Sequence, residues 1–170
     1  MDLVNAALFD GRRLRALTVV DTYTRESLAI EVGQGLKGED GVRVLNAVVA
    51  ERATPQTIKV DNDGEFILRA MDRWAYEHCV ELDYSRADTP TDNAKVENFN
   101  GLFRQECLNE HWFLSLDDAR SKVDWRRYYN ERRPHFPPQC ATPAEFARQA
   151  RETTSTDDSK TPEISTSRRD

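Results

Sequence analysis

The stretch Thr57-Ile58-Lys59-Val60-Asp61-Asn62-Asp63-Gly64 decides the fold of this chain. Its first four residues have the length and composition of a short strand, and the polar residues that follow end it. A helical pattern precedes this stretch over 39–52, with Pro55 just beyond as a stop signal, and a second helical pattern follows it over 65–79. With a fifth strand expected over 80–84, this alternation predicts strand–helix–strand crossovers.

The residues before this stretch indicate three further strands. Residues 3–9 are mostly apolar, Asp10-Gly11 is a turn signal, and residues 14–20 form a strong β run. Residues 27–32 alternate well enough for a third strand, so the first third of the chain is predicted to be an antiparallel meander. A meander followed by crossovers predicts an α/β fold, with one mixed five-stranded sheet flanked by helices.

The second half of the chain is predicted to be helical as far as residue 148. A helix over 93–108 carries an apolar stripe made of Val96, Phe99, Phe103 and Cys107. A further helix is expected over 116–130, and Thr142-Pro143-Ala144-Glu145 opens a last short one. Residues 149–170 lack periodicity, so we expect a core domain over 1–148 and a disordered polar tail over 149–170.

Composition and charge exclude several classes of protein. The 170 residues include 24 basic and 30 acidic side chains, a net charge of −6, which argues against a surface that is basic throughout but not against a local basic track. The three cysteines have no zinc-ligand or disulfide-framework spacing. The sequence has no signal-peptide pattern and no run approaching 18 apolar residues, so we expect a cytoplasmic protein without membrane contact.

Three carboxylates are placed to meet at one site. Asp61 follows a strand at its carboxyl end, where open α/β sheets build their sites. Glu97 lies on the polar stripe of the helix over 93–108, with 35 residues between it and Asp61, and Asp2 stands on the first strand. Three carboxylates converging from these elements would repel one another unless cations lay between them. Oxygen ligands without a nearby Cys or His favour Mg²⁺ or Mn²⁺ over zinc.

Short motifs occur along residues 1–148. They are Met1-Asp2-Leu3-Val4, Phe9-Asp10-Gly11-Arg12-Arg13, Leu17-Thr18-Val19-Val20-Asp21, Thr24-Arg25-Glu26, Val60-Asp61-Asn62, Glu65-Phe66, Pro90-Thr91-Asp92-Asn93-Ala94, Val96-Glu97-Asn98-Phe99-Asn100-Gly101, Tyr129-Asn130-Glu131-Arg132-Arg133-Pro134-His135 and Thr142-Pro143-Ala144-Glu145-Phe146. In combination they resemble the integrase-like catalytic core of bacterial insertion-sequence transposases, whose RNase H-like fold retroviral integrases share more distantly. This resemblance implies that Asp2, Asp61 and Glu97 are the catalytic triad.

The same resemblance implies a reaction and its partners. Two Mg²⁺ or Mn²⁺ ions about 4 Å apart would be held by the three carboxylates and clamp a scissile phosphate. The expected chemistry is strand cleavage at the ends of a mobile element, followed by joining of the freed 3′-hydroxyl to target DNA. The expected partners are those DNA sites and further copies of the chain or full-length transposase, at the bacterial nucleoid.

Two groups of side chains are candidates for DNA contact. Asn93, Asn100 and Arg104 share the polar stripe with Glu97, where they would contact phosphates or orient a carboxylate; an ordinary solvated helix face is the alternative. Further along the chain, basic residues with aromatic residues between them form a predicted track for the DNA backbone. This track contains Arg126, Arg127, Arg132 and Arg133. The alternative there is a charged amphipathic helix that packs its aromatic side chains inward.

The start of the chain departs from the family pattern. The family places about a strand's worth of sequence and a helix-turn-helix region before the first aspartate, whereas here Asp2 is the second residue. We therefore expect an amino-terminally truncated copy with impaired metal binding and end recognition. Two alternatives stay open: a non-catalytic module that binds DNA or full-length transposase, and a haloacid dehalogenase-like phosphatase with Asp61 as its nucleophile.

Overall fold

Five strands form two sheets in the computed structural model, which describes residues 1–60, 65–84, 94–134 and 141–157. Strands β1 (Asp2–Ala7), β2 (Arg13–Val20) and β3 (Ser27–Gly33) form an antiparallel sheet in the order β1-β2-β3. Strands β4 (Thr57–Val60) and β5 (Glu81–Tyr84) form a parallel pair. The predicted meander and crossover are thus confirmed.

The predicted single five-stranded sheet differs from the two sheets observed. The Met1 amine donates to the Lys59 carbonyl oxygen at 2.7 Å, so the edges of the two sheets are in contact. The pairing does not continue through β1 and β4, however. This contact joins the residue before β1 to the third of the four residues of β4, so it lies at the ends of both strands rather than along them.

Six α-helices are present in the described part of the chain. They are α1 (Gly38–Glu51), α2 (Glu65–His78), α3 (Ala94–Phe103), α4 (Leu116–Lys122), α5 (Trp125–Arg132) and α6 (Pro143–Asp157). Helix α3 continues as a π-helical turn over Arg104–Leu108, in which the Asn109 N–H donates to the Arg104 carbonyl at 2.9 Å. No helix within the described ranges is long and apolar enough to span a membrane.

The helices cover the sheets from two sides and enclose two apolar cores. The first core joins β1, β2 and β3 to α3, α4 and α5, and it contains Phe99, Phe103 and Cys107 of the predicted stripe. Val96, the first residue of that stripe, is also buried. The second core joins strands of both sheets to α1 and α2, with Met71 and Trp74 at its centre. Because Leu17 and Val19 of β2 share the second core with Ile58 and Val60 of β4, apolar packing holds the two sheets together.

Two helical regions differ from the predicted ones. The single helix expected over 116–130 is broken into α4 and α5 at Val123 and Asp124, where the Asp124 N–H donates to the Ser121 carbonyl in a tight turn. The last helix continues to Asp157, so residues 149–157 of the predicted disordered tail are helical, and residues 158–170 lie outside the described ranges. Hydrophobic periodicity fades after Ala147, which is why the sequence pattern ends earlier than the helix.

Candidate metal and nucleic-acid site

The carboxylate of Asp2 is held at the start of β1 by two donors. Its Oδ1 accepts the backbone N–H of Leu3 at 2.6 Å, and its Oδ2 accepts the side-chain amide of Asn100 at 2.5 Å. The second bond comes from α3, 98 residues further along the chain. Asp2 therefore has a fixed orientation at the junction between the three-stranded sheet and α3.

Asn100 is in turn fixed by Thr18 of β2. The Thr18 hydroxyl lies 3.0 Å from Asn100 Oδ1 and 3.3 Å from the Asp2 carbonyl oxygen, and it can donate to either. Because an ionised carboxylate can only accept, the amide nitrogen of Asn100 must face Asp2, and its oxygen then faces the Thr18 hydroxyl. Both Asn100 and Thr18 are buried. The predicted role of Asn100 in orienting a carboxylate thus has a geometric basis.

Glu97 lies one turn before Asn100 on α3, and its side chain is exposed. Side chains three residues apart on a helix are neighbours, with about 5–6 Å between their Cβ atoms. The turn of α3 that holds Asp2 is therefore the turn that carries Glu97. An exposed carboxylate one helical turn from the residue that orients a second carboxylate offers oxygen ligands of the type that divalent cations such as Mg²⁺ bind.

Asp61 lies outside the described residues, and so does Asn93. The described chain reaches Val60, the residue immediately before Asp61, at the carboxyl end of β4. Since the Met1 amine contacts the Lys59 carbonyl, the end of β4 lies beside the start of β1. Within the described ranges no cluster of three potential metal ligands occurs. The three-carboxylate site therefore stays a prediction.

The four arginines of the predicted DNA track do not share one environment. Arg126 is partly buried and donates to the carbonyl oxygens of Ser27 and Leu28, at 3.0 and 2.9 Å. Arg133 is ion-paired with Glu106. Arg127 and Arg132 are exposed, with Arg127 3.8 Å from Asp124. Of these four, only Arg127 and Arg132 present their guanidinium groups mainly to solvent. A continuous DNA track would therefore need basic side chains besides these four.

The alternative interpretation of that region agrees with the packing. Trp125 and Tyr129 turn inward against Phe99, with ring centroids 5.9 and 4.8 Å away. Arg104, from the other predicted group, is exposed and donates to the Asn5 carbonyl at 3.0 Å. Helix α5 is thus a charged helix that packs two of its aromatic side chains, Trp125 and Tyr129, against the first core.

Two features of the site are not evident from local sequence patterns. Thr18 interrupts the apolar run of β2, and a polar residue in a buried strand is the signal that could have identified it. Asn130 contacts β3 with its side chain, over a separation of 103 residues that no local pattern reports. Both residues act through long-range contacts to backbone or to a partner side chain.

Comparisons with known proteins agree with this geometry. The sequence profile described as "Integrase core domain" matches residues 1–90, and a second profile with the same description matches residues 78–143. A 39.2 kDa protein of insertion element IS476 from Xanthomonas euvesicatoria is 47% identical over 148 residues, which are 86% of this chain and 43% of that protein. A 31.7 kDa protein of insertion element IS407 from Burkholderia multivorans is 45% identical over 154 residues, which are 90% of this chain and 56% of that protein. The chain therefore spans about half the length of these curated relatives.

Solved structures with a similar fold come from retroviruses. The catalytic core domain of HTLV-2 integrase, solved with magnesium in a dimeric form, superimposes with a TM-score of 0.62 at 13% identity and covers 85% of this chain and 91% of that one. A chain of the simian T-cell lymphotropic virus intasome, solved with a regulatory subunit of PP2A, gives a TM-score of 0.65 at 17% identity, covering 85% of this chain and 51% of that one. At these identities the likeness establishes a shared α/β fold.

Proposed function

Because this chain belongs to the integrase core domain family, we propose that it is the catalytic core of a DNA transposase, which cleaves and joins DNA strands by metal-dependent phosphoryl transfer. The observation that carries the proposal is the bond between Asn100 and Asp2. It brings the turn of α3 with Glu97 to the start of β1, beside the strand that leads to Asp61. Asp2, Asp61 and Glu97 are the three carboxylates that the sequence analysis predicts to form the site.

The residues fit a site for two Mg²⁺ or Mn²⁺ ions. Asp2, Asp61 and Glu97 supply only oxygen ligands, the type these cations prefer, and the chain offers no cysteine or histidine among them. Bound ions would activate the attacking hydroxyl or water and stabilise the leaving oxygen. The HTLV-2 integrase core was solved with magnesium, which agrees with this choice for a chain of the same fold.

The chain's own residues contribute orientation. Asn100 and Thr18 hold the Asp2 carboxylate before any ligand arrives, so its reorganisation costs less when the site fills. Glu97 is exposed and therefore accessible to a phosphate approaching from solvent. Arg104, Arg127 and Arg132 are the exposed cations proposed to contact the DNA backbone, with Asn93 as a further proposed contact. Arg126 and Arg133 are instead assigned to the packing of the domain, because their guanidinium groups bond to other groups of the protein.

The proposed partners are DNA, at element ends and at target sites, and further copies of the chain or full-length transposase. The bacterial relatives are proteins of insertion elements, and the HTLV-2 core was solved as a dimer and as a trimer. We place this action in the bacterial cytoplasm, at the nucleoid.

Nicking of supercoiled plasmid in the presence of Mn²⁺ tests the proposal. Glu97→Gln removes one ligand charge and is expected to abolish nicking while leaving DNA binding, measured by fluorescence anisotropy, unchanged. Glu110→Gln is the matched control, because Glu110 is also an exposed glutamate but lies beyond the end of α3 and its π-helical turn. Equal nicking by wild type and Glu97→Gln would contradict the proposal. DNA binding with no nicking by wild type would favour the non-catalytic module.

A further inference from the structure

The outer edge of β3 is covered by side chains of α5. Asn130 makes two bonds to one residue: the Ser27 N–H donates to its Oδ1, and its Nδ2 donates to the Ser27 carbonyl, both at 2.9 Å. Asn130 is 8% exposed. Among the residues that the structure describes, β3 is the edge strand of its sheet, and no strand there pairs with these backbone groups. Asn130 therefore takes the place of a strand at this edge.

This edge is irregular where α5 contacts it. The register between β2 and β3 shifts there, since Val19 pairs with Ala29 and Val20 with Ser27. Leu28 is the extra residue of a β-bulge, and Arg126 donates to the carbonyl oxygens of Ser27 and Leu28. Side chains from one helix thus supply hydrogen bonds around a bulge.

The loop between β2 and β3 is held by the neighbouring residue of α5. The Tyr129 hydroxyl donates to the Arg25 carbonyl at 3.2 Å. Arg25 has a φ of 59°, a left-handed conformation that is unfavourable for a residue with a side chain and must be held by its surroundings. Burial raises the pKa of the Tyr129 hydroxyl from 10.0 to about 12, so the hydroxyl keeps its proton and remains a donor in mildly alkaline solution as well as at neutral pH.

The ring of the same tyrosine packs on α3. Its centroid lies 4.8 Å from that of Phe99 in an edge-to-face contact. Phe99 is the residue before Asn100 and two after Glu97, and it is fully buried. A second link joins the β2–β3 loop to α3, because Lys95 Nζ at the start of α3 donates to the Thr22 carbonyl in the loop at 2.9 Å.

We infer that Tyr129 is a positioning residue, which couples the β2–β3 loop to the turn of α3 that carries Glu97 and Asn100. Its hydroxyl fixes the loop and its ring fixes Phe99, so movement at either place is resisted by the other. Tyr129 and Asn130 would then stabilise the positions of the loop, β3 and α3 through contacts inside the protein, without contacting DNA. The catalytic meaning of this coupling rests on the proposed function, whereas the coupling itself does not.

Tyr129→Phe tests this assignment, since it removes the hydroxyl and retains the ring. Loss of one hydrogen bond is expected to raise amide hydrogen exchange about fivefold in both the loop 21–26 and α3. Exchange in α2, which packs in the other core, should stay at the wild-type rate. Tyr128→Phe is the matched control, because Tyr128 is the adjacent tyrosine of α5 and is 52% exposed.

The second measurement is the Mn²⁺ concentration that gives half-maximal plasmid nicking. We expect it to rise at least threefold in Tyr129→Phe and to stay unchanged in Tyr128→Phe, because a loosened α3 presents Glu97 less well. A purely structural tyrosine would change the folded fraction without changing this metal requirement.

The outcomes separate the two proposals. Faster exchange in the loop with unchanged exchange in α3 would overturn the positioning role, and so would unchanged exchange in the loop. If wild type does not nick DNA, the proposed function fails, and the exchange measurement still decides whether Tyr129 couples the loop to α3.

Discussion

The side-chain amide of Asn100 lies 2.5 Å from the carboxylate of Asp2, although the two residues are 98 positions apart in the sequence. Replacing this donor with a carboxylate, in Asn100→Asp, would place two negative charges against each other in a buried position. We expect the free energy of unfolding to fall by about 2–4 kcal/mol. We also expect nicking to fall about 100-fold, because Asp2 would lose its orientation. Chemical denaturation and plasmid nicking measure the two effects.

Asn98→Asp provides the matched comparison for this variant. Asn98 lies on the same helix, is exposed and is expected to tolerate the added charge within about 0.5 kcal/mol. Equal stability of the two variants would mean that the amide of Asn100 does not face the carboxylate of Asp2 as described.

Much of this architecture could be predicted from the sequence, because it depends on local periodicity. β4 occupies Thr57–Val60, the residues that the sequence pattern indicates. The apolar stripe of α3 is buried along its length, since spacings of three and four residues keep side chains on one face of a helix. The surroundings of the polar stripe could not be predicted in the same way, because its residues differ in burial. Asn100 is buried, whereas Glu97 and Arg104 are exposed.

The remaining features depend on contacts between distant residues. The bond from Thr18 to Asn100 spans 82 positions, and no pattern within β2 or α3 specifies it. The arginines of α5 illustrate the same point, because Arg126 and Arg127 are neighbours with different surroundings. Charge and spacing predict a basic helix, but the orientation of that helix against β3 decides which arginine is available to DNA.

Arg126 and Arg127 are therefore expected to respond differently to neutralisation. Arg126→Gln loses charge-assisted bonds to the carbonyl groups of Ser27 and Leu28, so the free energy of unfolding should fall by about 1–3 kcal/mol. Arg127→Gln should stay within about 0.5 kcal/mol of wild type, since its ion pairs are exposed. Urea denaturation of both variants measures the difference.

For DNA binding we expect the reverse order, with a larger effect of Arg127→Gln than of Arg126→Gln. DNA titrations at several salt concentrations give the slope of the logarithm of the binding constant against the logarithm of the salt concentration. This slope should be shallower in Arg127→Gln, by about one for a lost phosphate contact. An unchanged stability of Arg126→Gln combined with a shallower salt dependence would instead assign Arg126 to the DNA interface.

The end of α2 offers a stabilising substitution. Cys79 follows the helix with a φ of 54°, and the Val80 N–H donates to the Ala75 carbonyl at 2.9 Å, a helix termination that favours glycine. Cys79→Gly relieves a left-handed strain of about 1–2 kcal/mol and adds about 0.5–1 kcal/mol of unfolded-state entropy. Thermal denaturation should therefore detect a gain of about 0.5–1 kcal/mol. Cys79→Ala removes the same thiol but keeps the strain, and an equal gain from it would point to the thiol instead.

Cys107 makes the stability of the protein sensitive to alkaline pH. Burial raises the pKa of its thiol from 9.0 to about 11, because the thiolate is poorly solvated in the first core. The unfolded chain therefore loses this proton first, and the stabilisation is complete below pH 9 and decreases as pH rises towards 11. Two units of pKa correspond to at most about 3 kcal/mol. Urea denaturation at intervals between pH 8 and 11 follows this loss.

Cys107→Ala isolates the contribution of the thiol. The variant lacks the sulfur that fills the core, so it should be less stable than wild type at neutral pH by about 1–2 kcal/mol. It also lacks the titrating group, so its stability should fall less steeply over the same pH interval. Tyr84 and Tyr129, whose pKa values are raised to about 12, contribute equally to both proteins at higher pH. Parallel pH profiles for wild type and Cys107→Ala would mean that the thiol titrates alike in the folded and unfolded chains, contrary to its burial against Phe103 and its neighbours in the first core.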